Sequence, residues 1–366
     1  MNAVPSRKRS PRQVAPLAAV AVGVLFFLSL ELAVGHPDRW RLVSPWADEH
    51  VMSVARDVER EVIYAGVQGG GVMVREAGAW RLHPEVIPGG ASPVNLALTP
   101  DGGLLAATTG GLYRSADGGR QWEAAVAGAH LLQVDLDEDG YGVAAGPGGV
   151  FRSADGGVHW EGVTMAGLPR GADPYRVLRE PAGGLVLGTV GGAGIYRLAA
   201  GEARWQPDGM GLHGGARVFS LLILPDGALL AGTDGGAYGQ ERPGGPWTLT
   251  GQYWQTFRVL DLEWDPERDR LWVGGDEAAW SASLPAGGGF PEEWRVTETR
   301  DDFIAPVAWI DASADPVMAT AGALYAWAPD RSRRPSMVAS ALLVAFGAWL
   351  ILRSAFRRPG GGSPGR

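Results

Sequence analysis

Two stretches of the sequence nearly coincide: GGLYRSADGGRQW at 110–122 and GGVFRSADGGVHW at 148–160. Less exact copies lie at 70–80, 194–205 and 235–247. Each copy follows two short apolar runs that are separated by a turn, as at 96–107, where Pro-Asp-Gly at 100–102 is a hairpin signal. The unit therefore predicts four short strands, at 94–99, 104–109, 111–115 and 122–126.

One tryptophan closes each unit. These residues are Trp80, Trp122, Trp160, Trp205, Trp247 and Trp294. Their separations of 42, 38, 45, 42 and 47 residues match the four-stranded blades of a β-propeller. A seventh set of inner strands at 304–327 lacks a fourth strand, which the segment 40–43 would supply. We therefore predict an all-β, seven-bladed β-propeller closed by its first strand, with six or eight blades left open by the irregular segment 260–300.

The two best copies also share a polar hairpin. Its residues are Ser115, Asp117, Gly119 and Trp122 in one copy and Ser153, Asp155, Gly157 and Trp160 in the other. This pattern resembles the Asp-box (BNR) repeat of sialidases, of sortilin-type receptors and of photosystem-assembly-factor-like propellers. Only two of the seven units hold the full motif. The carboxylate and hydroxyl groups can accept backbone N–H bonds within the hairpin, so we expect a structural role.

Both ends of the chain carry an apolar run with basic flanks. A helix of about 20 residues crosses a hydrocarbon core of about 30 Å, so each run predicts a transmembrane helix. A signal peptide cleaved before His36 is the alternative for the first run. The predicted segments are a basic tail at 1–13, a helix at 14–35, the propeller at 36–330, a helix at 335–353 and a basic tail at 354–366. With both tails inside, eight flanking Lys or Arg lie on the cytoplasmic side and five outside, which places the propeller on the extracytoplasmic side of a bacterial-type cytoplasmic membrane.

Charge and composition exclude several partners and cofactors. The segment 36–330 holds 21 Arg, no Lys and 39 Asp or Glu, a formal net charge of −18, which disfavours nucleic acid. The chain has no Cys, and its six His include no HExxH pair, so we predict no metal site and no cofactor. The segment 135–140 matches the opening of a calcium loop, but Gly146 stands where a bidentate Glu is needed.

Three arginines form a hypothetical anion site. Arg217 and Arg258 lie eight residues before a hairpin proline, and Arg176 has a similar setting one blade earlier. Three guanidinium groups from consecutive inner strands could converge on a carboxylate or phosphate. Alternatively, each pairs with a local acid such as Asp173 or Asp261.

Our first functional hypothesis is a non-catalytic, membrane-tethered binding or scaffold module. The resemblance to photosystem-assembly-like propellers implies an accessory or assembly subunit of a membrane protein complex. The alternatives are a sialidase-like surface glycosidase, in which Glu263 would activate Tyr253, and a receptor for an anionic ligand at the three arginines. No Gly-x-Ser-x-Gly motif supports a hydrolase triad.

Overall fold

The computed structural model describes residues 39–42, 51–77, 79–83, 86–137, 139–250, 257–266, 268–276, 278–285, 288–291, 294–299, 307–311, 317–320 and 323–328. These residues form short strands of two to seven residues. In chain order the strands are β1 (Arg39–Leu42), β2 (Val51–Asp57), β3 (Val62–Val67), β4 (Gly71–Glu76), β5 (Ala79–Leu82), β6 (Pro93–Leu98), β7 (Leu104–Thr108), β8 (Gly111–Ser115), β9 (Glu123–Ala127), β10 (Gln133–Leu136), β11 (Gly142–Gly146), β12 (Gly149–Ser153), β13 (Glu161–Gly162), β14 (Pro174–Arg179), β15 (Leu185–Thr189), β16 (Ile195–Leu198), β17 (Gln206–Pro207), β18 (Val218–Ile223), β19 (Leu229–Thr233), β20 (Gly236–Gln240), β21 (Thr248–Leu249), β22 (Val259–Asp265), β23 (Arg270–Gly275), β24 (Ala278–Ala282), β25 (Arg295–Thr299), β26 (Val307–Asp311), β27 (Val317–Thr320) and β28 (Ala323–Ala328).

The strands are arranged in four-stranded sheets around an axis. Six sheets each contain four consecutive strands, and we number them blades 1 to 6, from β2–β5 to β22–β25. A further sheet, which we call the closing sheet, has the order β1-β28-β27-β26, so the first strand lies beside the last. The innermost strands contact one another in sequence, from β2 through β6, β10, β14, β18, β22 and β26 back to β2. This ring is a β-propeller.

Blade 2 confirms the predicted repeat unit. Its strands β6 to β9 match the four predicted segments to within one residue. The Pro-Asp-Gly turn closes the hairpin between β6 and β7, where Gly102 has φ 80° and donates its N–H to the Thr99 carbonyl at 2.8 Å. Only glycine adopts this backbone conformation without strain. Turn chemistry therefore sets the register of each blade.

The hydrophobic core lies between neighbouring blades. The second strands of blades 2 to 5, namely β7, β11, β15 and β19, are buried along their whole length. One core cluster joins Leu105 and Leu112 of blade 2 to Leu131 and Val134 of blade 3, and similar clusters join the next pairs. A blade covers both faces of its inner strands only by packing on its neighbours, so the ring folds as a whole.

The predicted fold class requires correction. Six blades consist of consecutive strands, whereas the closing sheet combines strands from both ends of the ring. Within the described residues, no helix has the length and apolarity needed to cross a membrane, because turns interrupt the chain every few residues. The flanking helices predicted at 14–35 and 335–353 lie outside the described residues. The corrected class for the described residues is an all-β propeller of six such blades and a composite closing sheet.

Candidate functional site

The innermost strands begin with the same three-residue pattern. We call the end of the ring where these strands start the upper face, and the opposite end the lower face. In blades 1, 2, 4, 5 and 6 a β-bulge follows the first residue of the strand. The residue at each bulge is apolar and partly exposed, and so is Leu132, which holds the corresponding position just before β10 of blade 3. We call this set the apolar collar: Met52, Val94, Leu132, Tyr175, Phe219 and Leu260. The next residue is polar, and it is buried in every blade except blade 4, where it is partly exposed. We call this set the polar row: Ser53, Asn95, Gln133, Arg176, Ser220 and Asp261.

The polar row ties each inner strand to the next one. Ser53 Oγ donates to the Pro93 carbonyl at 2.8 Å, which joins blade 1 to blade 2. Asn95 Oδ1 accepts from the Val134 N–H at 2.7 Å, which joins blade 2 to blade 3. Buried polar groups need partners, and these bonds supply them between blades.

The row continues with two longer side chains. Gln133 accepts from the Val177 N–H at 2.8 Å and donates to the Val177 carbonyl at 3.1 Å. Arg176 Nε donates to the Phe219 carbonyl at 2.9 Å, and its Nη2 lies 3.6 Å from Asp261 Oδ1. Arg176 therefore links blade 4 to both blade 5 and blade 6.

Ser220 is the exception in the row. Its Oγ is buried and has no hydrogen-bond partner among the described residues. A Cβ at Gly232 would lie 2.3 Å from this oxygen, so the glycine makes room for it.

A carboxylate lies one step further along the channel wall. Asp135 lies two residues after Gln133 on β10, where surrounding protein encloses its carboxyl group although part of the residue reaches solvent. Loss of water around the carboxyl group raises the pKa of Asp135 to about 6, while the Leu136 N–H and the Arg176 charge act in the opposite direction. The charge of Arg176 thus acts on carboxyl groups of both blade 3 and blade 6.

The three predicted anion-site arginines occupy two different positions. Arg217 and Arg258 immediately precede the first residues of β18 and β22, and both are exposed. Arg258 Nε lies 2.8 Å from Asp276 Oδ2, and the Arg217 N–H donates to Asp234 at 2.9 Å. Arg176 lies further along its strand, in the polar row. The Arg258 guanidinium group thus has a local acid partner, the Arg176 guanidinium group lies near Asp261 of blade 6, and Arg217 bonds to Asp234 only through its backbone. A shared anion site stays a prediction.

The hairpin of blade 2 has the geometry expected of a structural motif. Ser115 Oγ donates to Asp117 Oδ1 at 2.8 Å and accepts from the Gly119 N–H at 2.7 Å. The same Asp117 oxygen accepts from the backbone N–H groups of residues 120 and 121. Trp122 Nε1 donates to the Gly119 carbonyl at 3.1 Å.

Blade 3 repeats this geometry. Ser153 Oγ accepts from the Gly157 N–H at 3.0 Å, and Trp160 Nε1 donates to the Gly157 carbonyl at 3.0 Å. The His159 N–H and imidazole, together with the Ser153 hydroxyl, lower the pKa of Asp155 to about 2. In both hairpins the polar groups bond to their own loop.

Blades 4 and 5 close differently, and the sequence pattern missed this. Trp205 donates from Nε1 to the Thr164 carbonyl at 2.6 Å and from its backbone to the Ala166 carbonyl at 2.8 Å. Trp247 makes the equivalent bonds, from Nε1 to the Asp208 carbonyl at 2.6 Å and from its backbone to the Met210 carbonyl at 2.7 Å. Both tryptophans therefore bond to the connection that leaves the preceding blade.

Glycine is required in these connections. Gly167 and Gly211 have φ 98° and 97°. A Cβ there would lie 2.1 Å from the Trp205 carbonyl oxygen and 2.2 Å from that of Trp247. The repeat Gly-Leu at 167–168 and 211–212 is the sequence signal that could have identified them.

Exposed apolar side chains concentrate in the connections between blades. Among the described residues, Leu82, Val86, Met165 and Met210 lie at the end of an outermost strand or in the connection that follows it, with exposed fractions of 41 to 64%. The remaining large exposed apolar side chains are Val58 and Val158, in lower-face hairpins.

The other candidate residues give no assembled site. Glu263 is partly buried on β22, and Tyr253 lies outside the described residues. The described part of 135–140 runs from the end of β10 into the hairpin that follows, in which Asp137 accepts from the Tyr141 N–H at 2.8 Å. No cluster of three or more His, Asp or Glu suited to a metal ion occurs in the described ranges.

The fold and these surfaces define a single-ring β-propeller with a collared central channel. YCF48 from Cyanidioschyzon merolae is similar, with a TM-score of 0.60, 13% identity, and coverage of 80% of this chain and 99% of that one. YCF48 bound to D1 peptide gives a TM-score of 0.61 and 16% identity, and covers 82% of this chain and 98% of that one. An ancestral GH74 enzyme gives a TM-score of 0.61 and 16% identity, and the match covers 81% of this chain and 47% of the GH74 chain. At these identities the likeness shows the fold.

No family model matches the chain, and no curated protein matches it. The Asp-box similarity therefore stays a resemblance of two hairpins.

Proposed function

We propose that this chain is a non-catalytic binding module that docks a protein partner through the connections between its blades. The observation that carries the proposal is the concentration of exposed Leu82, Val86, Met165 and Met210 in these connections. Apolar side chains that stay exposed on loops of a rigid ring can contact a protein partner, and methionine adapts to varied partners. The bonds of Trp205 and Trp247 hold two of the connections in place.

The partner belongs to a membrane protein complex, of which this chain is an accessory or assembly subunit. The neighbour YCF48 was solved with a D1 peptide, which supports a peptide-binding role for a ring of this size. Location on the extracytoplasmic side of a bacterial-type cytoplasmic membrane is part of the proposal and rests on the basic residues flanking the two apolar runs.

Affinity capture from detergent extracts tests this proposal. The full chain should return one reproducible membrane protein, and the double variant Met165→Glu with Met210→Glu should lose it. Val158→Glu is the matched control because Val158 is 46% exposed in a lower-face hairpin. Recovery of the bait alone would count against the proposal, and so would equal loss with the control.

A further inference from the structure

The apolar collar residues lie where the innermost strands are open to solvent. Strand β2 and its counterparts are covered on both faces by neighbouring blades and bonded along one edge to the second strand. Water therefore reaches an innermost strand through the channel and its mouths. The partly exposed collar residues line this opening, and they are apolar in all six blades.

The collar is shaped by contacts between neighbouring blades. The rings of Tyr175 and Phe219 meet edge to face, with centroids 6.1 Å apart. The Arg176 guanidinium lies 5.9 Å from the Tyr175 ring centroid, on the side of the polar row. The opening therefore has an apolar rim above a polar layer.

A cation beside the collar gives the site a preference for charge as well as for apolar surface. Arg217 is exposed two residues before Phe219, at the upper face. Its backbone N–H, rather than its guanidinium group, is what bonds to Asp234. The propeller segment has a net charge of −18, so the Arg217 guanidinium group offers a position beside the collar where a partner's carboxylate is favoured.

We infer that the apolar collar seats one apolar side chain of an extended partner segment whose adjacent carboxylate pairs with Arg217. The ligand class is thus an apolar–acidic peptide, and the inference rests on the proposed function. A vesicle surface fits less well because the acidic ring is repelled by anionic headgroups. Burial of the inserted side chain favours binding, and the pairing of the peptide carboxylate with the Arg217 guanidinium group fixes the position of the peptide along the collar.

Selection from a displayed library of random 12-residue peptides on the purified full chain tests the inference. Retained peptides should be enriched in an apolar residue next to Asp or Glu. Phe219→Ser and Leu260→Ser should each weaken the best retained peptide about tenfold. Arg217→Ala should weaken binding of this peptide by less than tenfold. Replacing the peptide carboxylate with an amide should weaken binding to the wild-type chain but cause no further loss in the Arg217→Ala variant.

Val158→Ser is the control and should leave peptide binding unchanged, because it removes a similarly exposed side chain from the lower face. Thermal midpoints confirm that each variant is folded. Phe219→Leu keeps the collar apolar and should retain binding, even if Phe219→Ser fails to fold.

Three results would overturn the inference: no enrichment over an uncoated surface, enrichment without the apolar–acidic pair, or binding that is unaffected by the collar variants. Its failure is distinct from failure of the proposed function. A captured membrane partner that survives Phe219→Ser and Leu260→Ser would leave the proposed function intact and remove the collar from it.

Discussion

Blades 2 and 3 differ from blades 4 and 5 in how the same repeat position is used. Trp122 and Trp160 bond to carbonyls of their own hairpins and are partly exposed. Trp205 and Trp247 bond to the preceding blade and are 1% exposed. The first pair stabilises a hairpin, whereas the second pair stabilises the contact between blades.

The arginine of the third strand shows the same division. Arg152 of blade 3 lies 2.6 Å from Glu161, and both side chains are well exposed. The equivalent Arg197 of blade 4 is 15% exposed, pairs with Glu180 and Asp208, and bonds to Gln240 of blade 5 at 2.8 Å. A repeat position thus acts locally in one half of the ring and between blades in the other.

Removing this arginine should have the largest effect. Arg197→Met leaves the mostly buried Glu180 and Asp208 without their cation, so we expect the free energy of unfolding to fall by roughly 3–5 kcal/mol. Arg152→Met should cost less than about 1 kcal/mol because its pair is exposed. Urea denaturation of both variants measures the difference. Equal losses would remove the distinction between the two halves.

The tryptophans should give the next largest effect. Trp205→Phe leaves the partly buried Thr164 carbonyl without its donor and opens a cavity around a ring that is 1% exposed, which should cost about 2–3 kcal/mol. Trp122→Phe should cost about 1 kcal/mol, because its hairpin is partly exposed and retains the Ser115 and Asp117 bonds. The same denaturation series compares them, with Trp247→Phe and Trp160→Phe as the second pair. A larger loss in blade 2 than in blade 4 would contradict this account.

The repeat unit could be predicted from the sequence because it is written in local chemistry. The Pro-Asp-Gly turn at 100–102 and the hairpin at 115–122 fix strand ends within a few residues. The placement of 40–43 beside the last strand followed from a missing fourth strand, and β1 does lie beside β28. Local patterns of this kind do not report which blade a side chain reaches.

The polar row and the apolar collar could not be found by self-comparison, since their members share polarity rather than identity. Ser53 and Gln133 perform the same role with side chains of different length. Arg176 was grouped with Arg217 by its Arg-Val-type setting, yet the bulge places it in the polar row beside Phe219. The sequence signal for both sets is a triplet of two apolar residues and one polar residue at the start of each innermost strand, such as Val51-Met52-Ser53.

The smallest effect should come from the exposed Asp155 carboxylate of blade 3. Its contribution to stability depends on pH, which separates it from the ion pairs of blade 4. The pKa of Asp155 is lowered to about 2, first by the His159 N–H and then by the His159 imidazole. Its ordinary value is about 3.9, so the unfolded chain binds more protons between about pH 4 and pH 2. The stabilisation from this group is therefore complete above about pH 4 and is lost as the pH falls towards 2.

Asp155→Asn should lower the thermal midpoint slightly at pH 7 and flatten its dependence on pH in that window. Arg197→Met should leave the contribution of Asp155 unchanged, because its ion pairs lie in another blade. An Asp155→Asn variant with the wild-type acid profile would mean that the hairpin bonds of blade 3 do not hold the Asp155 carboxylate as the structure indicates.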